Sequence, residues 1–143
     1  MKTKYKIDRK IEIKSSTANL SLVRDFVKKA AKDSGFNDET IGKIILAVDE
    51  ACTNVIKHAY HYSNDGDIKI RAVFDKSKFK VIITDHGEPF NAKEIPEPNL
   101  QEYHRLKKVG GLGMFLMRKL MDEINYSTGN KTFNKVTLVK YLK

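Results

Sequence analysis

Residues 41–60 read IGKIILAVDEACTNVIKHAY and combine a long apolar stripe with polar residues that core packing does not explain. The apolar residues recur at helical spacing behind the capping candidates Asn37 and Asp38, which predicts an amphipathic helix over the whole quoted stretch. Glu50 and Asn54 lie one turn apart on the side roughly opposite the stripe. Such a pair can act as a proton acceptor and an oxygen ligand for Mg²⁺, although an isolated pair of this kind is usually a solvated helix face.

The elements on either side of this helix predict the fold class. Consecutive strands form hairpins, so we expect an α+β fold: a two-layer sandwich with a mostly antiparallel sheet and helices on one face. The length of 143 residues suits a single domain over residues 1–143. The first predicted elements are a strand at Ile11–Ile13 and a helix over 23–31, which follows the capping candidates Ser15, Ser16 and Thr17 and stops at Gly35. The helix over 41–60 comes next, followed by strands over 68–74 and 79–84. A helix after residue 113 and strands over 124–127 and 136–141 complete the order.

A second polar motif follows the predicted strand over 79–84. The strand ends directly in Asp85, and Gly87 comes two residues later in the sequence DHGEPF. A strand-end carboxylate can accept a hydrogen bond from an exocyclic amine such as that of adenine, and a glycine lets a flat ring approach the backbone. An ordinary turn is the alternative for this motif taken alone.

A third motif, Gly110-Gly111-Leu112-Gly113, opens the last predicted helix. Glycines in front of a helix expose backbone N–H groups beside the positive end of the helix dipole, which suits a phosphate. The motif matches neither a P-loop nor a Rossmann fingerprint, and a flexible turn is the alternative. Between the second and third motifs, residues 87–109 contain all three prolines and little periodicity, which indicates a long loop of the kind that often forms a lid.

Composition excludes several classes of protein. No apolar run is long enough to cross a bilayer and the charged first residues do not resemble a signal peptide, so we expect a cytoplasmic protein without a membrane partner. Cys52 is the single cysteine and is expected to be a small core residue. The net charge of +9 comes from scattered lysines and arginines, which favours a solvated surface over direct nucleic-acid binding.

Taken in order, the three motifs are far more specific than any one of them. ExxxN on a helix, DxGxPF after a strand and GGLG before a helix resemble the N, G1 and G2 boxes of the GHKL ATPases, which share the Bergerat-type ATP-binding fold. The chain most resembles the anti-sigma-factor serine kinases in two stretches of sequence. These are residues 47–54 with His58-Ala59-Tyr60, and residues 111–113 with 120–123. The likeness covers nearly the whole chain.

The resemblance implies a site for ATP or ADP with Mg²⁺. Glu50 would be the general base that takes the proton from a serine hydroxyl, and Asn54 would bind Mg²⁺ between the phosphates. Asp85 and Gly87 would recognise adenine, and the turn Gly110-Gly111-Leu112-Gly113 would bind the phosphates. Phosphoryl transfer depends mainly on positioning and charge stabilisation, so few covalent actors are needed.

The resemblance also implies partners. The substrate would be a STAS-domain anti-sigma-factor antagonist, and the kinase, as a homodimer, would sequester a sigma factor. Arg24 lies where such kinases often direct an arginine toward the sigma factor, although an exposed helix arginine is usually only solvated.

The chain departs from the family pattern at three places. Asn91 stands where members often have Asp, and Val109 stands where some have an arginine. Phe133-Asn134 replaces a Gly-Thr pair, so Asn134 or a water would have to supply that polar contact. These departures leave open a nucleotide-gated binding module without significant kinase activity. The net charge of +9 leaves a second alternative, a nucleic-acid binder whose DNA binding is steeply salt-dependent and unaffected by ATP.

Overall fold

The chain forms an antiparallel sheet with helices along one face, and the computed structural model describes residues 6–89, 117–128 and 132–143. In chain order the elements are β1 (Ile7–Lys14), a 3₁₀ turn (Thr17–Asn19), α1 (Leu20–Ser34), α2 (Asp38–Asn54), a π-helical turn (Val55–Ala59), β2 (Asp67–Asp75), β3 (Lys78–Asp85), β4 (Glu123–Thr128) and β5 (Asn134–Tyr141). Residues 117–120 are also helical. The α+β prediction is confirmed, and the predicted lid and the glycine turn lie outside the described residues.

The sheet has the order β1-β2-β3-β5-β4, and every neighbouring pair is antiparallel. β1 lies at one edge of the sheet. The central pair β3 and β5 are in a register that places Asp85, the last residue of β3, opposite Asn134, the first residue of β5. This register fixes two polar side chains side by side at one end of the sheet.

The two faces of the sheet differ because successive side chains of a strand point to opposite sides. Val81, Ile83 and Asp85 belong to the buried face that packs against the helices. The other face carries charged side chains and a groove of about 640 Å³, lined in part by Lys69 and Lys135. The groove therefore lies across the sheet from Asp85 and from the helices.

Helix α2 begins and continues as the sequence predicts. The side chain of Asn37 accepts a hydrogen bond from the backbone N–H of Thr40 at 2.9 Å, which caps the first turn. The helix passes without interruption into the π-helical turn, so the helical stretch reaches the neighbourhood of Tyr60. Cys52 is fully buried, and burial raises the pKa of its thiol to about 12, which agrees with the predicted core role.

The start of helix α1 differs from the prediction. Ser16 accepts a hydrogen bond from the backbone of Ala18 and so caps the preceding 3₁₀ turn rather than α1. Ser15 is buried, and its hydroxyl accepts from the N–H of Gly66, so it joins two loops instead of capping a helix. The end of α1 is as predicted: Gly35 adopts a φ of 108°, a left-handed conformation that favours glycine. Among the described residues, no helix combines the length and apolar composition that crossing a membrane requires.

Candidate functional site

The turn after β3 packs directly against the end of the α2 helical stretch. The N–H of Glu88 donates to the carbonyl oxygen of Ala59 at 2.8 Å. A β-carbon at Gly87 would lie only 2.5 Å from the same oxygen, so only glycine permits this approach. Ala59 follows Asn54 by five residues, about one turn of a π-helix. The structure therefore brings the second sequence motif against the C-terminal end of the first.

Tyr60 holds this junction together. Its hydroxyl donates to the carbonyl oxygen of Asp67 at 2.6 Å and accepts from the N–H of His86 at 2.9 Å. Its ring covers Gly66, where a β-carbon would lie 2.5 Å from ring carbons. Nothing in the sequence indicates which backbone groups the hydroxyl of Tyr60 would reach.

Asp85 is buried at this junction, with 2% of its surface exposed. Its Oδ1 accepts hydrogen bonds from the N–H of Gly87 at 2.9 Å and from Nδ2 of Asn134 at 2.8 Å. Burial raises the pKa of the Asp85 carboxyl, and these two hydrogen bonds and the nearby His86 oppose that rise without cancelling it. The carboxylate is thus held in one orientation in a partly desolvated place.

Asn134 makes the polar contact that the sequence required of it. Besides Asp85, its Nδ2 lies 3.3 Å from the carbonyl oxygen of Gly87 and 3.4 Å from that of Glu88. Its Oδ1 is buried and has no hydrogen-bond partner among the described residues. The expected substitute for the missing Gly-Thr pair is therefore in place, with one acceptor left over.

Glu50 and Asn54 are both half-buried on α2. Burial raises the pKa of the Glu50 carboxyl, and the charge of Asp49 raises it further. A carboxylate with a raised pKa is a stronger proton acceptor. Ala47 and Ala51, which flank this pair, are buried because α2 packs against both α1 and the sheet.

Arg24 on α1 is engaged within the protein. Its Nε donates to Oδ1 of Asp49 at 2.9 Å, and its side chain is 47% exposed. Asp49 precedes Glu50, so the pair links the outer surface of α1 to the helix that carries the polar motif. The sequence indicated Arg24 as a partner-facing residue but gave no sign of this ion pair.

The arrangement suits a nucleotide base. A buried carboxylate lies at the end of β3 beside a buried acceptor that has no partner among the described residues, and a base with amine donors has the chemistry to pair with such acceptors. The glycine turn at 110–113 lies outside the described residues, so its relation to Asp85 and Asn54 stays a prediction. Among the described residues no cluster of three or more His, Cys, Asp or Glu side chains could hold a metal ion by itself.

Comparison with known proteins identifies the family. The model of the histidine kinase-like ATPase domain matches residues 13–140, and the chain belongs to that family. The match spans β2, β3 and β4, the last two residues of β1 and all of β5 except Tyr141, and it includes the junction of α2 with the end of β3.

Within this class the chain is similar to the serine-protein kinases RsbW. It is 30% identical over 137 residues to the protein of Bacillus velezensis, an alignment that covers 92% of this chain and 84% of the relative. It is 31% identical over 128 residues to the protein of Bacillus subtilis, covering 86% of this chain and 78% of the relative. These identities are high enough to place the chain among the relatives of that kinase.

A solved structure shows the same fold. The crystal structure of the RsbU and RsbW domains of a Mycobacterium tuberculosis protein superposes with a TM-score of 0.66 over 95% of this chain. The sequence identity is 17%, and this chain spans 32% of the solved one. The likeness supports the fold alone.

Proposed function

We propose that this protein is an ATP- and Mg²⁺-dependent serine kinase that phosphorylates a STAS-type anti-sigma-factor antagonist and also binds a sigma factor. The observation that carries the proposal is the packing of the Asp85–Gly87 turn against the end of the helix that bears Glu50 and Asn54. Base recognition and phosphoryl chemistry need groups that share one cleft, and this contact brings their two elements together. The names of the relatives, serine-protein kinase, support the same activity.

Each proposed role follows from the chemistry of the side chain. Asp85 accepts a hydrogen bond from the amine of the base, and Gly87 lets the turn that carries Asp85 pack against the helix of Glu50 and Asn54. Asn54 supplies one oxygen to Mg²⁺, and the phosphates supply others, because a single carboxamide does not hold this ion alone. The turn at 110–113 binds the phosphates through its N–H groups.

Glu50 acts on the protein substrate. It takes the proton from a serine hydroxyl as the serine oxygen forms a bond to the γ-phosphorus and the bond from that phosphorus to ADP breaks. The half-buried position of Glu50 supports this role, since desolvation makes the carboxylate a better base.

The proposed partners follow from the family. Sequestration of a sigma factor implies a cytoplasmic location, and the resemblance implies a homodimer. Light scattering of the purified protein would give twice the mass of one chain for the dimer. A mass of one chain at micromolar concentration would contradict it.

The test of the kinase is phosphorylation of an antagonist protein by purified protein with labelled ATP and Mg²⁺. Glu50→Gln removes the base without changing the shape of the side chain, so we expect phosphoserine formation to fall at least about a hundredfold while ADP still binds. Glu12→Gln, on the exposed face of the sheet, is the matched control and should change neither. Unchanged transfer in Glu50→Gln would refute the role of Glu50.

A second candidate is a nucleotide-gated binding module without kinase activity, which Val109 favours because a cation near the γ-phosphate contributes strongly to transfer. The wild-type protein decides between them. ATP-dependent release or capture of a partner, with no phosphoserine at any enzyme concentration, would support the binding module.

A further inference from the structure

An exposed leucine lies beside the proposed base on helix α2. Leu46 has 42% of its surface exposed, whereas the other apolar side chains of α2 are buried or half-buried. Leu46 precedes Glu50 by four residues, and residues four apart on an α-helix lie one above the other on the same face. The exposed leucine and the half-buried carboxylate are therefore neighbours on one surface of the protein.

Helix geometry directs the side chain of Glu50 toward Leu46. The Cα–Cβ bond of a helical residue tilts toward the N-terminus, so the side chain of Glu50 leans over the turn that contains Leu46. The core does not account for a leucine there, because Ile44 and Val48, which are buried, lie two residues from Leu46 and roughly on the opposite side of the helix. Single exposed leucines are common on protein surfaces, and it is the position beside Glu50 that gives this one a role.

The helix surface next to Leu46 is open. Gly42 precedes Leu46 by four residues, and a β-carbon built there would meet nothing within 4 Å. On the other side, the carboxylate of Asp49 is engaged with Arg24 at 2.9 Å. A segment of another protein can therefore lie along α2 from Glu50, over Leu46, to Gly42.

The dimensions of the helix set the spacing of such a segment. Leu46 and Glu50 are separated by about 6 Å along the helix axis, at a rise of about 1.5 Å per residue. An extended chain advances about 3.3 Å per residue, so a side chain over Leu46 belongs to a residue one or two positions from a serine at Glu50. That side chain should be apolar, because a polar group would lose water against leucine without gaining a hydrogen-bond partner.

We propose that Leu46 is a specificity-determining residue for the protein substrate and contacts an apolar side chain one or two positions from the serine that is phosphorylated. The inference rests on the proposed role of Glu50, since the serine must lie against this face of α2 for Glu50 to take its proton. The occupant of the surface is then the serine-bearing segment of the antagonist protein.

Steady-state kinetics with a purified STAS-domain antagonist as the varied substrate, at saturating ATP and Mg²⁺, test the proposal. In Leu46→Ala the kcat/KM for the antagonist should fall about tenfold, because most of the apolar contact is lost. The dissociation constant of ADP should change by less than about twofold. Leu46→Met keeps an apolar side chain of similar size and should remain within about threefold of the wild type.

Leu22→Ala is the matched control. Leu22 is also exposed, at 57%, but it lies on α1, two residues from Arg24 and so roughly on the opposite side of that helix from the residue that contacts α2. Its substitution should leave the kcat/KM for the antagonist unchanged. A loss equal to that of Leu46→Ala would contradict a specific contact at Leu46.

A double-mutant cycle distinguishes direct contact from a change in the helix. Mass spectrometry locates the phosphorylated serine, and each apolar residue larger than alanine within two positions of it is replaced by alanine in the antagonist. With the variant that removes the contact, Leu46→Ala should cost less than about threefold instead of tenfold. A tenfold loss with every antagonist variant, or a serine with no such apolar neighbour, would overturn the inference.

The outcomes separate this inference from the proposed function. Phosphoserine formation with an unchanged kcat/KM in Leu46→Ala would overturn the role of Leu46 and leave the kinase proposal standing. Absence of phosphoserine with the wild-type protein would overturn both. If Leu46→Ala lowers the midpoint of urea unfolding, replacement of the apolar neighbours of the serine, assayed with the wild-type kinase, still decides the question: the kcat/KM should fall about tenfold for one of them, and no change for any would contradict the contact.

Discussion

Asp85→Asn should separate the contribution of this residue to stability from its contribution to binding. Asp85 is buried, and burial raises the pKa of its carboxyl, so the fold favours the neutral form of this side chain. Because the pKa is raised on folding, the contribution of Asp85 to stability is fully present below the ordinary aspartate pKa. It is lost as the pH rises through the folded value. At neutral pH a neutral asparagine avoids that cost.

The contacts of Asp85 determine how the substituted amide would sit. Gly87 N–H and Nδ2 of Asn134 both donate to Oδ1, at 2.9 and 2.8 Å, and an asparagine oxygen can accept both. The free energy of unfolding of Asp85→Asn at neutral pH should therefore equal that of the wild type within about 1 kcal/mol or exceed it. The new Nδ2 must then take the place of Oδ2 and point a donor at the amine of the base.

Binding should respond in the opposite direction. The substitution removes a hydrogen bond to a charged acceptor and sets the new amide donor against the amine donor of the base. ADP binding should therefore weaken by about 3 kcal/mol, roughly a hundredfold or more. The wild type should also lose ADP affinity as the pH falls through the folded pKa of Asp85, whereas Asp85→Asn should show no such dependence.

Urea unfolding at pH 7 and calorimetric titration with ADP measure both quantities. Asp75→Asn, at the end of β2, is the control and should change neither binding nor its pH dependence. The reasoning fails if Asp85→Asn is destabilised by several kcal/mol or binds ADP like the wild type.

Three further results are expected. Gly87→Ala should lower the free energy of unfolding by about 2 kcal/mol or more, because its methyl group meets a carbonyl oxygen at 2.5 Å. The β-carbon added by Gly42→Ala lies in a helix with nothing within 4 Å, so this control should raise the free energy of unfolding by up to about 1 kcal/mol. Equal effects of the two substitutions in urea unfolding would refute the close contact between Gly87 and Ala59. Lys76→Asn with Ser77→Gly should raise the midpoint of urea unfolding by an amount equivalent to about 1 kcal/mol. These hairpin residues have φ of 49° and 68°, which asparagine and glycine adopt more readily, and an unchanged midpoint would argue against strain there. The acid limb of the kinase pH–rate profile should lie above the ordinary glutamate pKa, because burial and a neighbouring carboxylate raise the pKa of Glu50; a limb at or below that value would contradict its role as the base.

The sequence predicted most of the fold because its periodicities are local and strong. The stripe over residues 41–60 defined α2 and its extension, and the runs around Asp75–Lys78 defined a hairpin. The order of elements then allowed few arrangements other than an antiparallel sheet beneath helices. The capping prediction for α1 was wrong because Ser15 bonds to Gly66, 51 residues further along the chain, and Ser16 caps a short 3₁₀ turn instead.

The residues of the candidate site were predictable, but the hydrogen bonds that join them were not. Motif spacing identified Glu50, Asn54 and Asp85 as site residues, and the departure from the family pattern identified Asn134. Nothing local indicates that the hydroxyl of Tyr60 joins the start of β2 to the end of β3. Nor does the local sequence indicate that Oδ1 of Asn134 lacks a hydrogen-bond partner among the described residues. Both facts depend on the register of strands that are distant in sequence, and register is fixed only when the whole sheet forms.

The register of β3 and β5 explains how the site is held in place even though its buried polar groups lower the stability of the fold. Asp85 and Asn134 end one central strand and begin its neighbour, so their hydrogen bond is held by the full β3–β5 ladder rather than by a loop. Gly87 packs against Ala59 and so joins this corner to the helix that carries Glu50. Asp49, next to Glu50, forms an ion pair with Arg24 of α1. The buried carboxylate of Asp85, and Oδ1 of Asn134 with no partner among the described residues, are both unfavourable in a core. The apolar face around them contributes enough stability to offset this cost. A ligand that meets both groups removes the cost, so nucleotide binding should stabilise the corner where the two central strands and α2 meet.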